Sequence, residues 1–397
     1  MDGAIPLKTQ TGYSQMEQRS QRLSLLLSEI WSQRSVSRSD LRRATGLTLP
    51  TVTRLVKDLK AVGAIIETDK SESSGGRRPS LIRANPEVGV VIGLDLSGIE
   101  LRGAILDATN HCLKVTKQAF RGMQAPLIEE QVLQLCRELI SDPIIGERRV
   151  LGIGVSVPGT VDAEKGIIRD AVNIHVQNYP IRDVLKDIFE LPVFIEHDTL
   201  AAAIAEKHYG AGRGFGDLMY VVVSTGIGAC WIANHTAYRG ATGQAGELGH
   251  VVVERNGQVC VCGKHGCLEA VAAVPAMLSS AQNVLLRQKR SSVDTLSLTA
   301  LIRASEQGDR LAQAIIDRAA DYLAMAVSAM VSIVDIRLLI IGGEVVQIGE
   351  RYFLTLRQSF QEYRPSGDEV KIVPAALGEN ASLQGVSMIV LQNVLAR

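Results

Sequence analysis

Apolar residues near the start of the chain recur with helical spacing. Leucine or isoleucine occupies positions i, i+3, i+4 and i+7 over residues 23–30, which predicts a first helix with one buried face. Ser37 is placed to cap a short second helix, and Gly46 supplies the turn that follows it. Thr48 is then expected to cap a third helix, whose early Pro50 needs no backbone donor. The pattern predicts a helix-turn-helix.

The third helix divides its side chains between an apolar and a polar face. Its apolar residues, from Val52 to Val62, are predicted to point inward. The residues left outside are Pro50, Thr51, Thr53, Arg54, Lys57 and Asp58. A short, basic outer face at the start of the second helix of such a pair is what reading the DNA major groove requires. We expect Thr51 and Arg54 to contact base edges.

Two short runs after the third helix predict a β-hairpin wing. They extend from Ala64 to Thr68 and from Ser80 to Arg83, and a polar, glycine-containing tip joins them. Arg77 and Arg78 at that tip are expected to enter a neighbouring minor groove or to contact phosphates. The complete set of predicted DNA-binding residues is Thr48, Pro50, Thr51, Thr53, Arg54, Lys57, Arg77 and Arg78.

The charge distribution supports a nucleic-acid-binding head. Residues 1–85 carry fourteen Lys/Arg and eight Asp/Glu, a balance of +6, whereas the rest of the chain carries a balance of −6. A basic head on an acidic body indicates that the head is the part that meets a polyanion. The alternative is a three-helix protein-interaction module with a solvated polar face.

From residue 88 onward the pattern changes to β-branched runs that end in small residues. The runs are VVIGLDLSG, VLGIGVSVPG, VFIEHD, LMYVVVSTGIG and RLLIIGG, with helical stretches between them. Buried strands that alternate with helices predict an α/β fold. Ligands of such sheets bind beyond the carboxyl ends of the strands, where the Gly, Asp and Ser/Thr residues of these runs lie.

The length of 397 residues predicts more than one domain. We expect a winged head over residues 1–84 and a larger unit over residues 85–397, each with its own core. Hydrophobic residues make up 46% of the chain and charged residues 21%, a balance that excludes extended disorder. No apolar run reaches membrane-spanning length and the start of the chain is polar, so we expect a cytoplasmic protein without membrane insertion.

Three of the six cysteines crowd into eight positions. These are Cys260, Cys262 and Cys267, whereas Cys112, Cys136 and Cys230 stand singly in apolar surroundings. In a reducing compartment such crowding favours a metal site over a disulfide. The three isolated cysteines are expected to be packing residues.

Several motifs together resemble the ROK family of repressors and sugar kinases. GELGH at 246–250 and CVCGKHGCLE at 260–269 resemble the hallmark of that family. PG at 158–159, the catalytic-type Asp198, STGIG at 224–228 and GG at 342–343 follow in the family's order, and the winged head resembles its repressor branch. The resemblance implies a two-lobed actin/hexokinase-like α/β body after the head. Lobe one would span about 85–200 plus the C-terminal helix, and lobe two about 201–380.

The resemblance also implies one structural zinc ion per chain. Its ligands would be His250, Cys260, Cys262 and Cys267, a closed tetrahedral set that leaves no position for chemistry. His265 lies inside the same loop and is the rival for the fourth position. Gly263 and Gly266 are expected to let the backbone curl around the ion.

A sugar pocket is implied on the same basis. The residues carried over from ROK sugar sites are Gly159, Asp198, Glu247, His250 and Glu269, with Asn173 as an addition. His197 stands where ROK glucokinases have asparagine, so the hydrogen-bonding pattern differs and the sugar or sugar phosphate is left unnamed. His250 would direct one ring nitrogen to zinc and the other to the sugar.

The phosphate-binding segments depart from the kinase pattern. Ile99 and Glu100 replace a threonine and a commonly found lysine, and Trp231 stands where kinases prefer an aliphatic residue. Glu100 would repel phosphates, so we expect a non-enzyme in which Asp198 is a vestigial base.

The leading hypothesis is therefore a repressor of carbohydrate genes. It would bind operator DNA as a homodimer or homotetramer and change its affinity when a sugar or sugar phosphate binds. One alternative is an ATP-dependent sugar kinase that carries a DNA-binding head. Another is a body that binds a protein partner.

Overall fold

The computed structural model describes residues 15–33, 35–68, 80–97, 100–121, 125–287, 297–364, 367 and 369–396. The helices are α1 (Gln15–Ser32), α2 (Arg38–Thr45), α3 (Leu49–Ala61), α4 (Ala125–Ile140), α5 (Ile181–Phe189), α6 (Asp198–Tyr209), α7 (Leu268–Ala272), α8 (Val274–Arg287), α9 (Leu298–Glu306), α10 (Arg310–Val334), α11 (Glu350–Tyr363) and α12 (Ala381–Leu395). The strands are β1 (Ile65–Thr68), β2 (Leu81–Ala84), β3 (Val90–Asp95), β4 (Glu100–Asp107), β5 (Cys112–Ala119), β6 (Val150–Val157), β7 (Thr160–Asp162), β8 (Ile167–Ala171), β9 (Val176–Tyr179), β10 (Val193–His197), β11 (Leu218–Val223), β12 (Ile227–Ala233), β13 (Thr236–Ala237), β14 (Leu338–Gly342) and β15 (Lys371–Pro374).

The head is a helix-turn-helix followed by a hairpin. Ser37 caps α2 and forms a reciprocal capping box with Asp40, and Gly46 adopts φ +69° after the last turn. The predicted capping bond of Thr48 is wrong, because its hydroxyl lies 2.9 Å from the Thr51 hydroxyl and bonds no backbone amide of α3. Pro50 occupies the second helical position and has no N–H, so one of the two donors that a cap normally receives is missing.

The wing strands β1 and β2 pair antiparallel, with Ile65 opposite Ala84 and Thr68 opposite Leu81. The second strand begins one residue later than the pattern predicts. The wing tip, with Arg77 and Arg78, lies outside the described residues.

Lobe one is built on a five-stranded sheet with the order β10-β6-β3-β4-β5. The strands β10, β6 and β3 run parallel, whereas β4 pairs antiparallel with β3 and the edge strand β5 pairs antiparallel with β4. Buried side chains of α4, α5 and this sheet form one hydrophobic core. A smaller sheet, β7-β8-β9, follows β6 directly, so it lies beyond the carboxyl end of a parallel strand.

Lobe two repeats the arrangement with a sheet of order β13-β12-β11-β14-β15. Strands β11, β14 and β15 are parallel, and α10 and α11 pack on this sheet over a second core. Two such lobes confirm the predicted α/β class. Among the helices of the described residues, none combines the length and apolar character needed to cross a bilayer.

Helices α6 and α12 lie between the lobes. Side chains from the first half of α6 pack against β11, β12 and β14 of lobe two, whereas α12 packs on β3 and β6 of lobe one. The two helices touch through their backbones, because a Cβ on Gly385 would lie 1.9 Å from the carbonyl oxygen of Ala201. Only glycine permits this approach.

The head shares its core with lobe one. Leu26, Val56 and Ile82 of the head belong to the same buried cluster as Leu151 and Leu391 of the body. The expectation that the head has a separate core is therefore wrong. Helix α1 contacts α2 and α3 of the head and also α6 and α12 of the body, so one buried cluster extends across both.

Candidate functional site

Four potential metal ligands converge where the sequence crowds its cysteines. The ligand atoms of His250, Cys260, Cys262 and Cys267 all lie within 4.8 Å of one another. The Cys260 sulfur is 3.7 Å from His250 Nδ1, and the Cys262 and Cys267 sulfurs are also 3.7 Å apart. A tetrahedral ion with metal–sulfur bonds of about 2.3 Å needs separations of this size. The residues therefore fit a structural metal.

The loop geometry explains the glycines between these ligands. Gly263 and Gly266 adopt φ +83° and +72°, and a Cβ on Gly266 would lie 1.7 Å from the Glu254 carbonyl oxygen. The rival ligand His265 directs Nδ1 to the Gly257 carbonyl oxygen at 3.2 Å and is not part of the converging group.

Burial and, to a lesser extent, the neighbouring cysteines raise the pKa of the Cys267 thiol to about 12. A bound cation would reverse this direction, because thiolate is the ligand form. Binding of a metal by these residues is thus coupled to proton release.

Glu269 connects the cysteine loop to the turn before β12. Its Oε2 accepts a hydrogen bond from the Ile227 amide at 3.1 Å, and its Oε1 lies 4.0 Å from the Cys260 sulfur. His250 directs Nε2 to Glu247 Oε2 at 3.8 Å while Nδ1 faces the cysteines. One face of His250 is therefore turned to the metal group, and the other to a carboxylate that is 47% exposed and available for a ligand.

Asp198 is the first residue of α6, directly after the parallel strand β10. Its Oδ1 accepts from the Thr199 hydroxyl at 3.0 Å and lies 3.4 Å from His197 Nε2. Burial raises the pKa of Asp198, the nearby charge of Asp95 raises it as well, and His197 opposes both. The carboxyl therefore retains its proton to a higher pH than a free aspartate.

These predicted residues meet around the start of β12. A Cβ on Gly228 would lie 2.6 Å from the Thr199 hydroxyl, so the Asp198 turn adjoins the strand whose Ile227 amide binds Glu269. The segment that carries Glu247 joins the same strand, since Ala229 donates to the Gly246 carbonyl oxygen at 2.8 Å.

Gly159 and Asn173 lie on the small sheet of lobe one. Gly159 has φ +78°, and a Cβ there would lie 2.3 Å from the Asp170 carbonyl oxygen, so the position requires glycine. Asn173 is exposed in a helical turn between β8 and β9. Within the part of the chain that the structure describes, no hydrogen bond or ion pair joins Asn173 to Asp198 or Glu247, and its assignment stays a prediction.

A cleft of about 1330 Å³ separates the lobes beside β10. His197 lines it, together with an ion pair between Glu196 of lobe one and Arg239 of lobe two. Sequence reasoning missed this pair, although a carboxylate inside the apolar run VFIEHD was a signal: Glu196 is only 2% exposed. The pair connects the two lobes directly.

The phosphate-loop departures fall in different surroundings. Ile99 lies outside the described residues, and Glu100 begins β4. Trp231 packs against Tyr238, with ring centroids 5.3 Å apart and the rings tilted by 52°, and it contacts the lobe-two core. It does not line the interlobe cleft.

The outer face of α3 is polar and basic. Thr53, Arg54 and Lys57 are exposed, whereas Asp58 is half-buried and pairs with Arg19 of α1 at 3.0 Å. Leu49 is 45% exposed at the start of the same helix, and the sequence analysis did not single it out. An exposed leucine beside Pro50 offers an apolar contact of the kind that thymine methyl groups accept.

The fold and the site define a class of protein: a two-lobed, sugar-kinase-like body with a cysteine-rich loop, joined to a winged helix-turn-helix head. The chain belongs to the ROK family, whose model matches residues 91–393.

The chain is similar to named relatives of two kinds. It is 30% identical to a xylose repressor of Caldicellulosiruptor bescii over 384 residues, 94% of this chain and 96% of the relative. It is 32% identical to a glucokinase of Thermotoga maritima over 314 residues, 77% of this chain and 98% of the relative. A solved ROK transcriptional regulator, described as a homologue of the E. coli MLC protein, matches with a TM-score of 0.81 and 24% identity over 95% of this chain and 98% of its own.

Proposed function

We propose that this protein is a transcriptional repressor of carbohydrate genes in the cytoplasm, with residues 1–84 as the DNA-reading unit and residues 85–397 as the sugar-sensing unit. One observation carries the proposal. Residues 85–397 make up less than four-fifths of the chain, so a match over 94% of it to a xylose repressor must include most of the head. The match to a glucokinase covers 77% of this chain, a share that the body alone can account for.

The DNA-binding role is assigned to the outer face of α3. Arg54 would bind a guanine edge, and Thr51 would contact a neighbouring base. Lys57 would neutralise a phosphate, as would the wing arginines. The chain would bind as a homodimer or homotetramer, since paired recognition helices read paired half-sites.

The sensing role is assigned to the residues around β12. Asp198, Glu247 and Glu269 would accept hydrogen bonds from sugar hydroxyls, and His250 would support the same ring of contacts. Gly159, Asn173 and His197 would close the pocket from lobe one. A structural zinc ion on His250, Cys260, Cys262 and Cys267 would hold the Glu247 and Glu269 segments in place, and its chemistry would end there because no coordination position stays open.

A sugar kinase is the second candidate, and the match to a glucokinase over 98% of its length favours it. Asp198 would be the general base toward an acceptor hydroxyl, and the upward shift of its pKa is in the direction that this role favours. Against a kinase stand Ile99 and Glu100, since an acidic side chain near phosphates is repulsive. We therefore propose binding without phosphoryl transfer.

The test measures binding of the purified protein to its own upstream DNA by fluorescence anisotropy, with a panel of sugars and sugar phosphates that begins with xylose. We expect specific binding to this DNA and a change in affinity of about fivefold or more with one member of the panel. Equal binding to random DNA would exclude the repressor. Turnover of ATP with any panel sugar at about 1 per second or faster would establish the kinase instead.

A further inference from the structure

The last turns of α1 are fastened to the body by three polar contacts. The indole N–H of Trp31 donates to the Ala108 carbonyl oxygen at 3.0 Å, and Trp31 is buried. The Gln392 amide donates to the Ser28 hydroxyl at 3.0 Å, and the Arg213 guanidinium donates to the Ser32 carbonyl oxygen. Each contact joins the head to a different part of lobe one or to the end of α6.

A buried charge lies at the same place. Lys207, in the last turn of α6, is only 6% exposed, and the carboxylate that acts on it is that of Glu29 on α1. A buried ammonium is costly unless an opposite charge is near it, so this lysine favours the arrangement in which α1 stays against α6.

The other ends of the two interlobe helices lie near Asp198, which the proposed function assigns to the sugar, because the Asp95 carboxylate that Ser382 bonds also acts on Asp198. Helix α6 begins with Asp198. In the first turn of α12, Ser382 donates to Asp95 Oδ2 at 2.7 Å, and Asn380 just before it accepts from Arg102 at 2.6 Å. Because Gly385 brings the α12 backbone against Ala201 of α6, neither helix can shift without the other.

We propose that Trp31 and Gln392 are positioning residues that transmit sugar occupancy to the DNA-reading head. The inference rests on the proposed function. Sugar contacts at Asp198 and lobe closure displace α6 and α12, and the joint that α1 makes with their far ends carries the head with them. The two recognition helices of an oligomer then change their separation. Without this joint the head would keep its DNA affinity whatever the body binds.

The test compares Gln392→Leu and Trp31→Phe with the wild type. For each protein, the operator Kd is measured with and without a saturating effector from the panel above, and the effector Kd is measured by calorimetry. We expect both variants to keep the effector Kd and the effector-free operator Kd within about threefold. The effector-induced ratio of operator Kd values should fall to less than about one third of the wild-type ratio.

Matched controls are Gln134→Leu, which removes an amide that donates to Glu138 within α4, and Tyr363→Phe, which removes a hydroxyl that donates to Asp321 on lobe two. Both should retain the wild-type ratio. If Trp31→Phe itself weakens effector-free operator binding more than about threefold, Gln392→Leu decides, because it leaves every side chain of the head in place.

If Gln392→Leu kept the full wild-type ratio of operator Kd values, the proposed transmission through these contacts would be wrong. A wild-type protein whose operator affinity ignores every sugar would contradict the proposed function, and the inference with it. The two failures are therefore distinct in the data.

Discussion

Arg54 and Lys57 lie one turn apart on the exposed face of α3 and are predicted to do different work. An arginine that pairs with a guanine edge discriminates among sequences, whereas a lysine on a phosphate contributes to every sequence equally.

Replacing Arg54 by alanine should reduce the preference for operator over random DNA by about tenfold or more. Lys57→Ala should weaken both kinds of DNA by a similar factor and reduce the slope of log K against log salt by about 1. Anisotropy titrations on both duplexes at several salt concentrations measure these quantities. Undiminished discrimination in Arg54→Ala would contradict the base-reading role.

Asp198 is the second residue whose surroundings predict a measurable effect. Its pKa is raised, so the folded state binds the proton more tightly than the unfolded chain. Burial of the charged carboxylate therefore lowers the free energy of unfolding at pH values above the folded-state pKa. This destabilisation decreases as the pH falls through that pKa, because the carboxyl then becomes neutral.

Asp198→Asn should therefore raise the unfolding temperature at pH 7, by about 1–3 °C, and the gain should shrink as the pH is lowered toward the unfolded value of 3.8. The same change should weaken sugar binding by about tenfold or more, because a carboxylate acceptor is lost. Scanning fluorimetry across pH and calorimetry measure the two effects. Asp183→Asn on α5 is the control, and a lower stability of Asp198→Asn at pH 7 would count against this account.

At the scale of elements, a metal in the cysteine loop would reinforce a connection between two segments that already touch, since the Leu268 amide donates to the Val251 carbonyl oxygen at 2.8 Å. Helix α7 begins directly after Cys267 and carries Glu269, while His250 ends the turn that carries Glu247. Metal coordination would hold both carboxylates on one side of β12.

Cys262→Ser should lower the zinc content from about one ion per chain to a small fraction and reduce sugar affinity, because the two carboxylate segments are then positioned less rigidly. His250→Ala should do the same, whereas His265→Ala should keep its metal. Mass spectrometry of the native protein reads the stoichiometry, and calorimetry reads the sugar affinity. A metal-free protein with full sugar affinity would refute this reinforcement.

At the scale of the whole molecule, the shared core of head and lobe one decides how the protein unfolds. Leu395, at the end of α12, is buried in the same cluster as Leu26 and Leu55 of the head. Loss of the head would expose this part of α12.

The head and lobe one should therefore unfold in one calorimetric transition. Leu395→Ala should lower the midpoint of that transition, with a cost of about 2–4 kcal/mol from the cavity left at the joint. A separate low-temperature transition for the head, unaffected by Leu395→Ala, would show that the contact is not cooperative.

Local signals in the sequence determined much of this protein. Apolar spacing located α1 and α3, the serine and glycine signals bounded α2, and the β-branched runs located the main strands of both sheets. The crowding of three cysteines within eight positions predicted a metal loop. These features follow from neighbours in the chain, because periodicity, capping and turn preferences act over a few residues.

Contacts between distant segments were decided by the tertiary structure alone. Three contacts join residues far apart in the chain. They are the Glu196–Arg239 ion pair across the lobes, the close approach of Gly385 to Ala201, and the hydrogen bond from Trp31 to the Ala108 carbonyl oxygen. No local pattern encodes such contacts, since they depend on how complete elements pack. The shared core of the head and lobe one has the same cause. The sequence shows that a helix has an apolar face, but only the packing of all elements decides whether its own domain or a neighbouring one covers that face.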